Sequence, residues 1–201
     1  GDKMLKTGSV DGGSGLFCEE STSRCDAGGD APGGFAGSAG RHEVPAPGYR
    51  LSSPVVIASI EVHVSGDTAA INAFSGAGND FGVLPTISGG DANQLFIVRS
   101  GGELTVEYIR LSRGRAVVRH NGGNDYKGGN GGIILLGFDS LALNEAPRPG
   151  TCDPVEAVLS LRHVAVSGGV AKRGGGVGYE SWPCAAHQPN KVQIDISDSM
   201  F

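Results

Sequence analysis

Two stretches, LTVEYIRLSRGRA (Leu104–Ala116) and LSLRHVAVSGGVA (Leu159–Ala171), decide the fold when laid over one another. Apolar residues coincide at four places: Leu104 with Leu159, Val106 with Leu161, Ile109 with Val164, and Leu111 with Val166. Each copy then continues with Ser, a turn glycine and Ala. A spacing of two puts side chains on one face of a strand. The step of three from Val106 to Ile109 returns the chain to that face only if a bend or bulge intervenes, and His163 falls at this bend. Strand, bend and strand, repeated along a chain, is how a polypeptide winds as a coil of parallel strands. The same offsets recur at Val55, Ile57, Ile60 and Val62, again at Leu136, Phe138, Leu141 and Leu143, and more weakly at Ile194, Ile196, Ser199 and Phe201. The expected fold is all-β, a right-handed single-stranded parallel β-helix of five or six coils. With a strand spacing of about 4.8 Å it would stand roughly 25–30 Å tall.

Composition agrees with a chain of many turns. Glycine contributes 35 of 201 residues, yet no three-residue glycine period appears, which excludes collagen. Apolar residues at 39 % exclude disorder over the whole length. With this glycine load and alternation, no amphipathic window of ordinary helix length stands out. The formal charge of −5 is scattered rather than blocked, so the dense basic stripe of a general nucleic-acid binder is missing. No apolar run approaches the ~20 residues of a membrane span, and Gly1-Asp2-Lys3-Met4-Leu5 shows no signal-peptide core.

Residues 1–50 differ from 51–201. Runs such as Asp11-Gly12-Gly13-Ser14-Gly15 and Ala31-Pro32-Gly33-Gly34 carry turn formers without an apolar period. They are expected to form an irregular arm over a β-helix built from 51–201. Four cysteines, Cys18, Cys25, Cys152 and Cys184, allow three disulfide connectivities. Neighbour pairing would staple the arm with Cys18–Cys25 and close a moderate loop with Cys152–Cys184. Zinc is the competing use, but the spacings do not suit it. Two disulfides imply an oxidising setting: extracellular, cell-surface or organelle-lumenal.

The glycine-rich segments Gly101-Gly102-Glu103-Leu104-Thr105-Val106, Gly128-Gly129-Asn130-Gly131-Gly132-Ile133-Ile134 and Ser140-Leu141-Ala142-Leu143-Asn144-Glu145-Ala146 resemble the coils of polymorphic outer-membrane proteins. Those carry GGA-aliphatic and F-x-x-N motifs and belong with the pectin-lyase-like β-helices. Here Ile133 stands where the motif has Ala. Asn144 follows Phe138 by six residues instead of three. The resemblance covers roughly residues 55–201. It implies the fold, while the functions it admits range from adhesins and structural proteins to polysaccharide-cleaving enzymes.

Val192-Gln193-Ile194-Asp195-Ile196 reads as a strand without a cap, and an uncapped coil offers backbone edges and an apolar cross-section to a partner. For catalysis, Glu107, Asp139 and Asp195 are expected at or near one outward position of successive coils, with Arg162 among them. A polysaccharide lyase or hydrolase would need such acids clustered; the same ladder also reads as a charge-balanced outer face. The long loops Arg113–Asn130 and Lys172–Asn190 carry Arg115, Arg119, Tyr126, Tyr179 and Trp182, aromatic and arginine side chains suited to a protein interface or to stacking on sugars. Trp182 equally suits a cover for the coil edge beside Cys184. The five histidines show no metal spacing, and Gly174-Gly175-Gly176-Val177-Gly178 lacks the Lys-Ser/Thr and helix of a phosphate loop. No metal or other cofactor is expected. The function expected is a non-enzymatic scaffold, an accessory subunit that binds another protein or a surface glycan. A carbohydrate-active enzyme is the alternative.

Overall fold

The computed structural model describes residues 3–10, 13–17, 35–36, 40–51, 54–57, 59–99, 101–116, 131–137, 156–171, 173–180 and 191–201. The decisive local event is a break in alternation. Along Gly102–Ser112 every second side chain is buried up to Val106; Glu107 and Tyr108 are then both only partly buried before Ile109 and Leu111 turn inward. Tyr108 takes up left-handed backbone, φ 54°. His163, within the strand Glu156–Ser167, does the same at φ 51°, and Asp198, just beyond Lys191–Ser197, at φ 47°. One residue in this conformation turns the chain and resets the pleat, so the expected bend is a single left-handed residue.

In chain order the strands are β1 (Lys3–Val10), β2 (Gly13–Phe17), β3 (Phe35–Ala36), β4 (Gly40–Val44), β5 (Gly48–Leu51), β6 (Val55–Ile57), β7 (Glu61–Gly66), β8 (Thr86–Ser88), β9 (Phe96–Val98), β10 (Gly102–Ser112), β11 (Ile134–Gly137), β12 (Glu156–Ser167), β13 (Val177–Glu180) and β14 (Lys191–Ser197). They form two sheets. In the nine-stranded sheet, β10 and β12 carry the corner. Before it, β4, β7, β10, β12 and β14 lie side by side; after it, β1, β5, β8, β10 and β12 do. The five-stranded sheet runs β3-β6-β9-β11-β13. Apart from the antiparallel β1–β2 pair, the pairings of the described strands are parallel. Neither sheet closes on itself among the described residues, and the architecture is all-β with parallel sheets.

Register follows the repeat that defines it. Leu104 lies opposite Leu159, Val106 opposite Leu161, Ile109 opposite Val164 and Leu111 opposite Val166. β14 continues the stack, with Ile194 opposite Leu159 and Ile196 opposite Leu161. Both sheets feed one core: Val62, Leu104 and Leu159 from the first meet Phe96, Ile134 and Leu136 from the second. A fully buried side chain of this size contributes about 2–3 kcal/mol. A smaller cluster of Val56, Ile97 and Leu135 is buried separately, on alternate residues of the second sheet. Where the chain passes between sheets, backbones touch. A Cβ at Gly169 would sit 1.8 Å from the Gly175 carbonyl oxygen and one at Gly114 2.3 Å from that of Gly132, which accounts for the turn glycine of the Leu104 and Leu159 copies.

Four expectations change. First, Val55 and Ile57 pair with Phe96 and Val98 in the second sheet, whereas Val62 pairs with Leu104 in the first. That copy therefore straddles a corner, and Leu136 likewise belongs to the second sheet; Phe138, Leu141 and Leu143 lie outside the described residues. Two aliphatics two apart, followed by two more, are produced by any pair of strands flanking a bend. Second, paired strands extend N-terminal of residue 51, since β4 and β5 lie in register with β7 and β8. Third, Lys172–Asn190 is not wholly loop, because β13 occupies its middle and pairs with β11. Fourth, a helix does form. In α1 (Thr68–Gly76) the Asp67 side chain accepts the Ala70 amide at 2.8 Å, and Phe74 is buried. Phe74 packs on Phe81, Tyr108 and His163 with ring centroids 5.3–5.8 Å away, while Tyr108 and His163 stack at 4.7 Å. The helix thus covers the two corner residues that point out of the turn.

Candidate functional site

The last rung differs from those before it. Leu104 and Leu159 are fully buried, yet their successor Ile194 is 43 % exposed; Val106 and Leu161 are buried, yet Ile196 is 47 % exposed. Met200 and Phe201 are exposed as well, at 54 % and 60 %. In the second sheet Tyr179 lies in register with the buried Leu136 and Val98 but is 41 % exposed. Among the described strands, β14 and β13 each have a neighbour on one side only. The rung is nonetheless tightly built. The Val166 amide donates to the Met200 carbonyl at 2.8 Å and the Met200 amide to the Val164 carbonyl at 2.9 Å. Ser199 Oγ accepts from the Val164 amide at 3.1 Å and donates to the Ser197 carbonyl at 2.8 Å. Its outward side is polar: Lys191 Nζ reaches Glu156 Oε1 at 3.2 Å, and Gln193 Nε2 donates to Asp195 Oδ2 at 2.7 Å.

The expected acid column is only partly assembled. Glu107 lies opposite Arg162 in register, but Asp195 faces Ser160, one outward position earlier. Asp139 lies outside the described residues. Glu107 takes its hydrogen bond from another quarter, His63 Nε2 to Oε2 at 3.1 Å, with Arg41 Nη2 donating to Ser65 Oγ at 3.3 Å nearby. These groups belong to neighbouring strands of one outer face, and His63 was not singled out by its sequence. Among the described residues, no three of His, Cys, Asp or Glu gather as metal ligands would.

Of the loop candidates, Arg115 makes a bridge to Val170 and is exposed. Tyr179 lies on β13, in the column of core residues rather than on a projecting loop. Arg119, Tyr126 and Trp182 fall outside the described residues, as do all four cysteines.

A second feature lies beyond the corner. β5, β8 and β10 align Arg50, Ser88 and Ser112, and beside them Thr86 and Arg110. A groove of about 430 Å³ runs here, walled by Gly82, Val83 and Leu84 and floored by Thr86, Ser88 and Ser112. Arg113 on its rim donates through Nε to Asp91 Oδ2 at 2.8 Å and through Nη2 to the same oxygen. That hydrogen bond, reinforced by the positive charge of Arg113, Arg115 and Arg50, holds the Asp91 carboxyl below its ordinary value. The serine after the fourth apolar residue is visible as part of the repeat, but Thr86 and Ser88 come beside Arg110 and Ser112 only through pairing of distant segments.

No helix among the described residues is long and apolar enough to cross a membrane. Comparison with family models, with curated proteins and with solved structures finds no match in any of the three.

Proposed function

We propose that the chain is a right-handed, single-stranded parallel β-helix of the pectin-lyase-like kind that works as a non-enzymatic interaction module, its last rung docking an extended segment of another protein. The fold part is supported by the parallel stack Val62, Leu104, Leu159, Ile194 and by corners repeated at one level of successive strands. Parallel crossovers of this type are overwhelmingly right-handed.

One observation carries the function: Ile194 and Ile196 stand close to half exposed, although their in-register neighbours Leu159 and Leu161 are buried. The edge of β14 can take main-chain hydrogen bonds from an added strand, and Ile194 and Ile196 offer contacts to alternate side chains of that strand. The outward-facing Asp195, with Asp198 at the corner, favours a basic residue between the partner's aliphatic ones. The resemblance and the cysteine count support an extracellular or lumenal setting, where stacked coils commonly need a cover.

The test is native mass measurement of the assembly from its source, combined with amide exchange. A mass above that of the single polypeptide, with Val192, Ile194 and Ile196 amides protected in the assembly and exchanging quickly in the isolated chain, is expected. A native mass equal to the lone polypeptide, or protection supplied by further coils of the same polypeptide, would contradict the proposal.

A further inference from the structure

The groove beyond the corner is independent of the last rung and has its own chemistry. It is an open groove that combines a polar floor with a cationic rim in a chain that is acidic overall. Arg110 and Arg113 line it, while Arg50 and Arg115 lie close enough to Asp91 to act on its carboxyl. The nearby acids already have partners: Asp91 is engaged by Arg113, and Asp80 accepts the Gly82 amide at 2.7 Å at the start of the short helical turn Phe81–Val83. Arg110 spends one nitrogen on a long contact, Nη1 to the Gly82 carbonyl at 3.4 Å, and a guanidinium has further donors. Ser88 Oγ accepts from the Gly90 amide at 3.2 Å, which leaves its own proton to donate into the groove. Arg50 is laid across Gly90, near Asp91: a Cβ there would come within 2.3 Å of the Arg50 Nε, so the glycine makes room for this guanidinium.

We propose that this groove binds a sulfate or phosphate ester carried on a sugar-sized, hydroxylated ligand, with Arg110 holding the oxyanion beside the charge of Arg113 and Thr86, Ser88 and Ser112 hydrogen-bonding the hydroxylated body. Guanidinium forks match tetrahedral oxyanions in charge and geometry. Hydroxyls on adjacent strands repeat at about 4.8 Å, a spacing close to that of hydroxyl groups across a sugar ring and its neighbour. The volume falls in the range of small-ligand sites, roughly 300–1,000 Å³. No covalent step is involved.

Calorimetric titration of the full chain with glucose 6-phosphate, galactose 6-sulfate, glucose and inorganic phosphate tests this. Saturable binding of both esters is expected, with glucose silent and inorganic phosphate weaker by about tenfold. Arg110→Gln should weaken the esters by about tenfold, because a charged hydrogen-bond donor is lost at a partly exposed position. Ser112→Val should weaken the esters while leaving inorganic phosphate unchanged, and Lys191→Gln at the far edge should change nothing. Three results would overturn the proposal: no saturable binding of either ester, ester binding indifferent to Arg110→Gln, or inorganic phosphate binding as tightly as the esters. The last would leave a bare oxyanion as the occupant. Circular dichroism of each variant separates loss of binding from loss of fold.

Discussion

Leu159 and Ile194 occupy the same column one strand apart, and their contrast shows what burial does at a single residue. Truncating the fully buried Leu159 to Ala leaves a cavity and should cost about 3 kcal/mol, within the usual 2–5. Ile194→Ala, at a position close to half exposed, should cost less than about 1 kcal/mol. Urea denaturation of the two variants, with unchanged m-values, checks both figures. Asp91 gives the pH counterpart. Its folded pKa lies below the ordinary 3.8, first because of the Arg113 hydrogen bond, so this pairing stabilises the fold above that value and the contribution is lost as pH falls through the folded pKa. Arg113→Gln should move the Asp91 carboxyl titration back up toward 3.8, read by NMR of the side-chain carbonyl.

The corner is the natural element on which to judge the strands. Left-handed backbone costs about 1 kcal/mol or more for a residue with a side chain, so the corners persist because something offsets it. At Tyr108 and His163 the offset is the ring cluster with Phe74. Among the described residues, no ring packs on Asp198 in this way. Asp198→Gly should therefore be neutral or stabilising by up to about 1 kcal/mol, whereas His163→Gly should destabilise despite the same backbone relief. Thermal unfolding of the two variants distinguishes them, and the reverse order would remove the ring cluster as the cause. Asp67→Ala should weaken α1 by about 1 kcal/mol through loss of its cap. Much of this was legible. The step of three between Val106 and Ile109 demanded a bend, and His163 was placed at it. The helix was not legible, because the cap at Asp67 and the Ala69-Ala70 pair sit in a chain whose glycines and alternation dominate any window. Its nine residues are held by Phe74 meeting rings that arrive from β10 and β12, a contact between segments far apart in the chain.

Across the whole molecule, the columns matter more than any strand alone. A repeat read along the chain specifies which residues face inward, but it does not specify which strand lies beside which. That is why Val55, Ile57 and Leu136 lie in the second sheet although their spacing matches that of the first. The weak copy at Ile194 and Ile196, by contrast, falls in register, and its exposure makes the end of the stack the leading candidate site. The groove was illegible for the same reason: Thr86 and Ser88 on one strand and Arg110 and Ser112 on another meet only when those strands align.

Methyl-selective NMR of the full chain measures that alignment directly. Parallel stacking predicts cross-peaks between the methyls of Leu104 and Leu159, between Leu159 and Ile194, and between Leu111 and Val166, with none between Leu104 and Ile194. A cross-peak between Leu104 and Val166, the contact of antiparallel neighbours, would contradict the wound-sheet account.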